Sequence, residues 1–336
     1  MKHANIAVFV PHSGCPQQCS FCNQKTISGH ATQPTAEDVK KACETAMVQG
    51  CEGRFVQLAF FGGSFTAIDK SYMLSLLEAA QPYIKSGFLN GGIRISTRPD
   101  FIDDEILTLL QKYGVRAIEL GAQSTDEKVL SINKRGHTAA DIFAAAKKIK
   151  EFGFELGLQM MTGLYGSTPE KDIKTAEDFI FMQPDTVRIY PTVVLKNTLL
   201  GELFEKGEYN PPDVESTVEL CAELLQMFES SGIKVIRLGL HAQDGVEQDF
   251  LAGAYHPALR ELCEGEQFYR RILEKLKDKP EGSYEISVNK KDISRATGQK
   301  KKNLLRLKSQ GYNCKVSGDD SIQLHEFTLR NVTECF

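Results

Sequence analysis

The chain has 336 residues, of which 41% are hydrophobic, and its 40 Lys and Arg against 44 Asp and Glu leave a formal net charge of −4. That composition can bury a sizeable core and excludes a disordered chain, while the mild acidity excludes any general electrostatic pull toward nucleic acid or anionic membrane and leaves only local patches. The apolar stretch from Asn5 to Val10 is too short for a signal peptide, no apolar run reaches the ~18 residues of a membrane span, and 9 cysteines, an odd number, argue for metal-bound or reduced thiols rather than a disulfide framework. A cytoplasmic protein with no membrane association is expected.

In chain order, β-rich runs are expected near 5–10, 55–61, 92–97, 115–120, 154–160, 185–190 and 234–239, with amphipathic helical patterns at 37–49, 70–84, 103–113, 139–152, 170–181 and 213–231. The first two strands are apolar nearly throughout, as in a parallel sheet covered on both faces. Repeated βα units of this kind build either an open doubly wound sheet or a barrel, and periodicity does not choose between them. Past 240, an irregular connection holding His241, Asp244, His256 and Glu261 leads into a helix at 265–277 and a linker at 279–282. A basic βααβ pattern over 284–317 follows, its two helices joined by Gly298-Gln299-Lys300-Lys301. The expected division is 1–240, a connecting helical extension over 241–280, and a small basic α+β unit over 281–336.

Directly after the first strand, Cys15, Cys19 and Cys22 stand in the spacing C-x-x-x-C-x-x-C. A loop at the C-terminal end of a barrel strand is where a barrel keeps its chemistry. Thiolates suit iron and sulfide, and three of them on a 4Fe-4S cluster leave one iron open to a small molecule. Two other readings of the same spacing stay open: a zinc site completed by His12 or His30, and reduced thiols without a metal.

The triplet with Phe21 before its last cysteine resembles the signature of the radical S-adenosylmethionine (SAM) superfamily. Six further segments, 61–66, 94–101, 119–124, 133–138, 159–166 and 188–194, occur in the order found in the radical SAM domain of the catalytic subunit of Elongator, a family that modifies the wobble uridine of tRNA. The resemblance covers roughly 5–240. It implies an α/β fold with a partial (β/α)6 TIM-type barrel and a small C-terminal α+β extension. It also implies a 4Fe-4S cluster on Cys15, Cys19 and Cys22, reductive cleavage of SAM to a 5′-deoxyadenosyl radical, and an electron donor such as flavodoxin or ferredoxin.

Carried over residue by residue, the resemblance places Phe21 beside the cofactors and Gly62, Gly63 and Ser64 against the methionine amino group of SAM. Thr97, Arg98, Gln123 and Arg135 are to meet its ribose hydroxyls and carboxylate. Gly163 belongs to the adenine-side loop, where Tyr165 replaces the family's usual proline, and Tyr190 and Lys196 lie on the substrate side. The residues alone allow plainer roles: a tight turn at Gly62-Gly63, an ion pair from Arg98 to Asp100, a rim position for Tyr190. No catalytic acid, base or hydrogen-abstraction target is assigned. The acetyltransferase domain and cysteine-rich zinc site of the Elongator subunit find no match, Cys221, Cys263, Cys314 and Cys335 being too scattered for the latter.

The unit at 284–317 resembles the minimal core of a K-homology module, whose GXXG loop clamps a nucleic-acid backbone. Here Lys301 replaces the second glycine, and Lys300, Lys301 and Lys302 are the candidate RNA contacts, against the alternative of a solvated basic helix pair. The leading expectation is a radical SAM enzyme that modifies an RNA base, tRNA first. The alternatives are a radical SAM enzyme for a small metabolite or porphyrin, since oxygen-independent coproporphyrinogen oxidase shares the cysteine spacing and a Gln-Ser element, and a non-catalytic iron-sulfur or zinc RNA-binding protein.

Overall fold

In a computed structural model that describes residues 3–11, 18–23, 32–51, 53–240 and 244–332, the strand expectations become one sheet of seven parallel strands. These are β1 (His3–Val10), β2 (Phe55–Gly62), β3 (Ile93–Thr97), β4 (Val115–Gln123), β5 (Glu155–Thr162), β6 (Thr186–Pro191) and β8 (Lys234–Leu238), in the order β1-β2-β3-β4-β5-β6-β8. The sheet is curled, so the parallel repeat is a half-barrel with β8 added beyond the sixth strand. Helices α1 (Ala36–Val48), α2 (Lys70–Lys85), α3 (Asp104–Lys112), α4 (Glu127–Ile132), α5 (Ala139–Glu151), α6 (Pro169–Met182) and α7 (Leu199–Glu205) fill the connections. Thr35, Asp69, Asp103, Asp126, Thr138, Thr168 and Thr198 each cap one of these helices by accepting an N–H of its first turn.

Strand register sorts the two faces. Leu58, Ile95, Ile118, Leu120, Leu156, Leu158 and Val187 are fully buried on the helix-covered face. The other face carries Arg94, Glu119, Gln159, Arg188 and Arg237, with Arg94 beside Ala117, Gln159 beside Arg188 and Arg188 beside Arg237. The nearly apolar pattern of β1 and β2, broken by the buried Gln57, therefore does not extend across the sheet: from β3 onward the concave face is charged. Register shifts at Gly121/Gln123 and Val187/Arg188 bend the sheet where β4 and β8 must follow its curl.

The chain divides into two compact units, Met1–Pro212 with Phe228–Tyr255, and Asp213–Met227 with His256–Phe336. The first includes a short ribbon the sequence did not announce, β7 (Val193–Leu195) antiparallel to β9 (Phe250–Gly253), with α9 (Asp244–Asp249) before it. Also present are α8 (Val214–Ser230), α10 (Leu259–Leu276), β10 (Gly282–Val288), α11 (Ile293–Thr297), α12 (Lys302–Ser309), β11 (Tyr312–Gly318) and β12 (Phe327–Asn331). In the second unit β10 pairs in parallel with β11 and antiparallel with β12. Phe268, Tyr269, Ile272 and Leu276 of α10 share a core with Tyr284, Ile286, Val288 and Phe327. Thus α10, read from sequence as part of a connecting extension, is the principal apolar cover of the small sheet. Among the described residues no helix is long and apolar enough to cross a membrane.

Candidate active site

Cys19 and Cys22 lie within the described residues; Cys15, His12 and His30, like His241 and Cys335, lie outside them. The N–H of Cys22 donates to the Cys19 carbonyl at 3.2 Å, which turns the chain tightly between the two thiols. Ser20 moors that turn: its N–H and hydroxyl donate to the Asn133 carbonyl and Oδ1 at 3.1 and 2.6 Å, and its carbonyl accepts from Leu200 at 2.8 Å. The cysteine loop is therefore fastened to the segment after α4. From that segment Arg135 donates through Nη1 to Cys19 Sγ at 3.0 Å and through Nη2 to the Gly121 carbonyl. Its guanidinium lies 5.9 Å from the Phe21 ring centroid.

At the end of β2, Gly62 has φ +109°, and a Cβ there would stand 2.9 Å from the Val10 carbonyl oxygen. Glycine is thus required by the approach of β1, and the Gly63 N–H donates to that same oxygen at 2.8 Å. Ser64, Thr66 and Thr97 pool their hydroxyls: Thr97 Oγ1 is 2.8 Å from Ser64 Oγ and 2.6 Å from Thr66 Oγ1. Arg98 directs Nε and Nη2 to the two carboxylate oxygens of Asp100 at 2.9 and 2.7 Å, the ion pair that the residues alone allowed.

The end of β4 departs most from ordinary geometry. Gln123 has φ +72°, a left-handed conformation that L-residues adopt at a cost. A point just above Gly121, where a side chain would begin, lies 3.2 Å from Gln123 Nε2, 3.6 Å from Arg135 Nη2 and 3.6 Å from the Thr97 carbonyl. Three polar atoms here are buried without a hydrogen-bond partner among the described residues: Gln123 Oε1, Arg135 Nε and His137 Nδ1. Burial, and then the Arg135 charge, push the His137 pKa down to about 4. The neutral ring donates Nε2–H to the Ala122 carbonyl at 3.2 Å, which leaves Nδ1 as a bare acceptor. Buried polar atoms are normally satisfied. The unsatisfied acceptor of Gln123 and donor of Arg135, whose side chains line the Gly121 cradle, suit a ligand carrying a carboxylate, an amine and ribose hydroxyls, so the residues present fit SAM.

Gly163, at the end of β5, has both backbone groups engaged: its N–H donates to Asp172 Oδ2 at 2.8 Å and its carbonyl accepts from the Tyr209 hydroxyl at 2.5 Å. Tyr165 packs edge-on against Tyr209, ring centroids 5.8 Å apart, and its carbonyl accepts from Asn133. Lys196 is exposed and reaches the Gln248 carbonyl at 3.3 Å. Tyr190 is half-buried on the concave face, two residues from Arg188. Cys19, Phe21, Gly121, Gln123 and Arg135 thus come together, and Thr97, whose carbonyl faces Gly121, brings Ser64 beside them.

Sequence reasoning missed the buried charge network in the barrel. Glu119 accepts from Arg188 Nε at 2.7 Å, Arg188 Nη2 at 2.9 Å, Arg94 Nη1 at 3.2 Å and Gln159 Nε2 at 3.0 Å. Charged residues midway along otherwise apolar strands were the available signal. His137, Asp172 and Tyr209 were missed as well, and their spacing carries no comparable mark.

In the second unit, Lys300, Lys301 and Lys302 are all exposed. Lys300 and Lys301 have φ of 51° and 62°, so the position where a GXXG loop has its second glycine keeps a glycine-like backbone. Lys302 pairs with Glu215, Lys290 with Asp320, Arg295 with Glu264 and Asp292, and Arg306 with Glu266. Among the described residues Lys291, Lys300, Lys301 and Lys308 pair with no acid, so about half of the expected basic surface is neutralised internally.

The family model of the radical SAM superfamily matches residues 9–179, and that of the radical SAM C-terminal domain matches 184–267. The chain is 26% identical to the tRNA uridine(34) acetyltransferase of Dehalococcoides mccartyi, over 65% of this chain and 55% of that protein. It is 29% identical to human Elongator complex protein 3, over 51% of this chain and 35% of the relative. It therefore spans between a third and a little over half of these relatives' length. The structure of the archaeal Elp3 of Methanocaldococcus infernus superposes with a TM-score of 0.61 at 22% identity, over 84% of this chain and 66% of that one, which is a likeness of fold. With the family match covering half the chain and the half-barrel present, the chain belongs to the radical SAM superfamily and is an enzyme of that superfamily.

Proposed function

We propose that the protein cleaves SAM reductively at a 4Fe-4S cluster held by Cys15, Cys19 and Cys22 and uses the resulting radical to modify an RNA base, with tRNA the substrate. The observation that carries the first part is the cluster of unsatisfied buried atoms around Gly121, directly beside Cys19. When bound, the cluster supplies one electron and SAM supplies the carbon-centred oxidant. The chain's own residues hold these partners and keep water out. Gln123 and Arg135 meet the polar groups of SAM over the Gly121 cradle, and His137 accepts a ligand hydrogen through Nδ1. Arg135 joins the two sites, since one guanidinium reaches both Cys19 Sγ and the Gly121 carbonyl. The hydroxyls of Ser64 and Thr97 brace the loop that closes the end of β2. Asp172 and Tyr209 hold the Gly163 turn in place from two sides.

The RNA substrate is supported by the relatives named for tRNA uridine and by the left-handed lysine pair Lys300-Lys301 in the βααβ unit. Lys300, Lys301 and Lys302 would contact phosphate there. The test is anaerobic reconstitution with iron and sulfide, followed by measurement of 5′-deoxyadenosine release with dithionite, with and without tRNA. Release stimulated by tRNA, lost in Cys19→Ser or Cys22→Ser and weakened when all three lysines become Glu, is expected. Turnover indifferent to RNA would instead favour a small-molecule substrate, and absence of both iron and SAM cleavage would end the radical reading.

A further inference from the structure

The charged residues on the concave face of the half-barrel differ in depth. Deep inside, the Arg94 and Glu119 side chains are 6% and 1% exposed. Toward the strand ends, Tyr190 and Arg237 are only half-buried. Arg188 and Arg237 are register partners on β6 and β8. Two guanidinium groups therefore lie side by side on one face, an arrangement that costs stability unless negative charge intervenes. For Arg188 that charge is Glu119, at 2.7 and 2.9 Å.

Arg237 has no such partner. Its Nε donates to the Gly239 carbonyl at 2.8 Å, and the titratable groups that bear on it are Tyr190 and Arg188. Among the described residues no carboxylate pairs with it and its two terminal amino groups have no acceptor. Burial and the neighbouring Arg188 charge both work against its protonated form. Tyr190, two residues along β6 from Arg188, carries its hydroxyl, which can donate, on the same face. A half-buried guanidinium fork with an adjacent hydroxyl is the donor set that recognises a carboxylate or phosphate, because the paired N–H groups match two oxygens of one anion. The arrangement is paid for by the fold and is repaid only when an anion arrives.

We propose that Arg237, together with the Tyr190 hydroxyl, binds an anionic group of the substrate, a phosphate or a carboxylate, on the concave face at the C-terminal ends of β6 and β8. The assignment rests on the reading that this end is where the reaction takes place. It makes Arg237 a binding residue that sets specificity and leaves SAM to the Gly121 side.

The test uses cluster-loaded protein saturated with SAM, so that the cofactor site is filled, and equilibrium dialysis against two probe pairs. Uridine 5′-monophosphate is compared with uridine for the phosphate source, and succinate with succinamide for the carboxylate source. One anion of the two pairs is expected to bind at least about tenfold tighter than its neutral counterpart, an effect the size of one charge-assisted bidentate contact. Arg237→Gln should abolish that preference, and Arg237→Lys, which keeps the charge but not the fork, should retain part of it. SAM affinity should stay within about twofold of the parent, since Arg237 is not assigned to the cofactor. Equal binding of charged and neutral probes by the parent protein, or an unchanged preference in both variants, overturns the proposal. So does a loss of SAM affinity that parallels the loss of the anion. Failure of the parent to release 5′-deoxyadenosine would count against the proposed function alone, because anion binding is read without turnover.

Discussion

Glu119→Gln isolates the electrostatics of the barrel. The change keeps the shape of a side chain that is 1% exposed and removes the negative charge that faces both Arg94 and Arg188. Arg94 retains Glu155 at 2.7 Å, so the loss falls on Arg188, which is left beside Arg237 with no compensating acid. Glu119 now holds the Arg188 pKa above the ordinary arginine range even though burial works against the charge. Breaking a buried pair by removing one partner costs about 3–5 kcal/mol, of which the amide oxygen can return about 1 kcal/mol as a hydrogen bond. The expected loss is therefore about 2–4 kcal/mol, or roughly 4–16 °C in the melting midpoint for a unit of this size. Thermal melts followed by circular dichroism at neutral pH read it directly. The double variant Glu119→Met with Arg188→Met should recover most of the loss, because an apolar pair of similar volume carries no desolvation cost. A single variant within about 1 °C of the parent, or a double variant less stable than Glu119→Gln, would refute the reasoning.

Gly62→Ala places a Cβ 2.9 Å from the Val10 carbonyl at a φ of +109°, and should cost at least about 2 kcal/mol in urea titration, more than the roughly 1 kcal/mol of left-handed strain alone expected at Gly87, which has open space around it. Burial pushes the Asp172 carboxyl up to about 6, against the hydrogen bonds from Ser167 and the Gly163 N–H. The folded chain thus holds this proton more tightly than the unfolded chain, where the group titrates near 3.8. The contribution to stability is full below about pH 4 and is lost as pH rises through about 6, about 3 kcal/mol in all, and Asp172→Asn should remove that slope from urea titrations across this window. Lys301→Gly should slow hydrogen exchange in α12 by stabilising the second unit about 0.5–1 kcal/mol, since φ at this position is 62°; faster exchange would show that the lysine side chain holds the turn.

What could be read in the sequence follows from what the physics writes locally. Runs such as Leu58 to Phe61 and Leu156 to Met160 mark strands because one face must be apolar whatever the other does, and Thr35, Thr138 and Thr168 mark helix starts because an orphan N–H needs an acceptor within three residues. The triplet and the strand-end motifs are local as well, and so they were legible. Their distant partners were not. The Arg98–Asp100 pair, two residues apart, could be read from the residues, whereas Arg135 finds Cys19 across 116 positions. The β7–β9 ribbon pairs three residues with a segment more than fifty positions later, through strands too short to show alternation. The Glu119 network joins β3, β4, β5 and β6, and only strand register reveals that its members face one another.

Left-handed residues also occur at Gln183, Asn197, Lys300, Lys301 and His325, but one set of departures from ordinary folding rules falls together. Gln123 in a left-handed conformation, the unsatisfied atoms of Gln123, Arg135 and His137, and the adjacent guanidinium groups of Arg188 and Arg237 all belong to β4, β6, β8 or the segment after α4. On the helix-covered face the strand residues are apolar and fully buried, with Leu58, Ile95, Ile118 and Leu158 at 0% exposure. A sequence selected for stability alone would satisfy both faces, because each unpaired buried polar group costs about 1–3 kcal/mol. Unsatisfied groups that gather at one place suit a binding site, since a bound molecule completes those interactions. The two sets also differ in sign. Around Gly121 donor and acceptors are mixed, as a zwitterionic cofactor demands, whereas at Arg237 the unmatched groups are donors only, as an anion demands. With the cofactor at Gly121 and the substrate anion at Arg237, as proposed, the two are separable by the chemistry of what each site leaves unsatisfied.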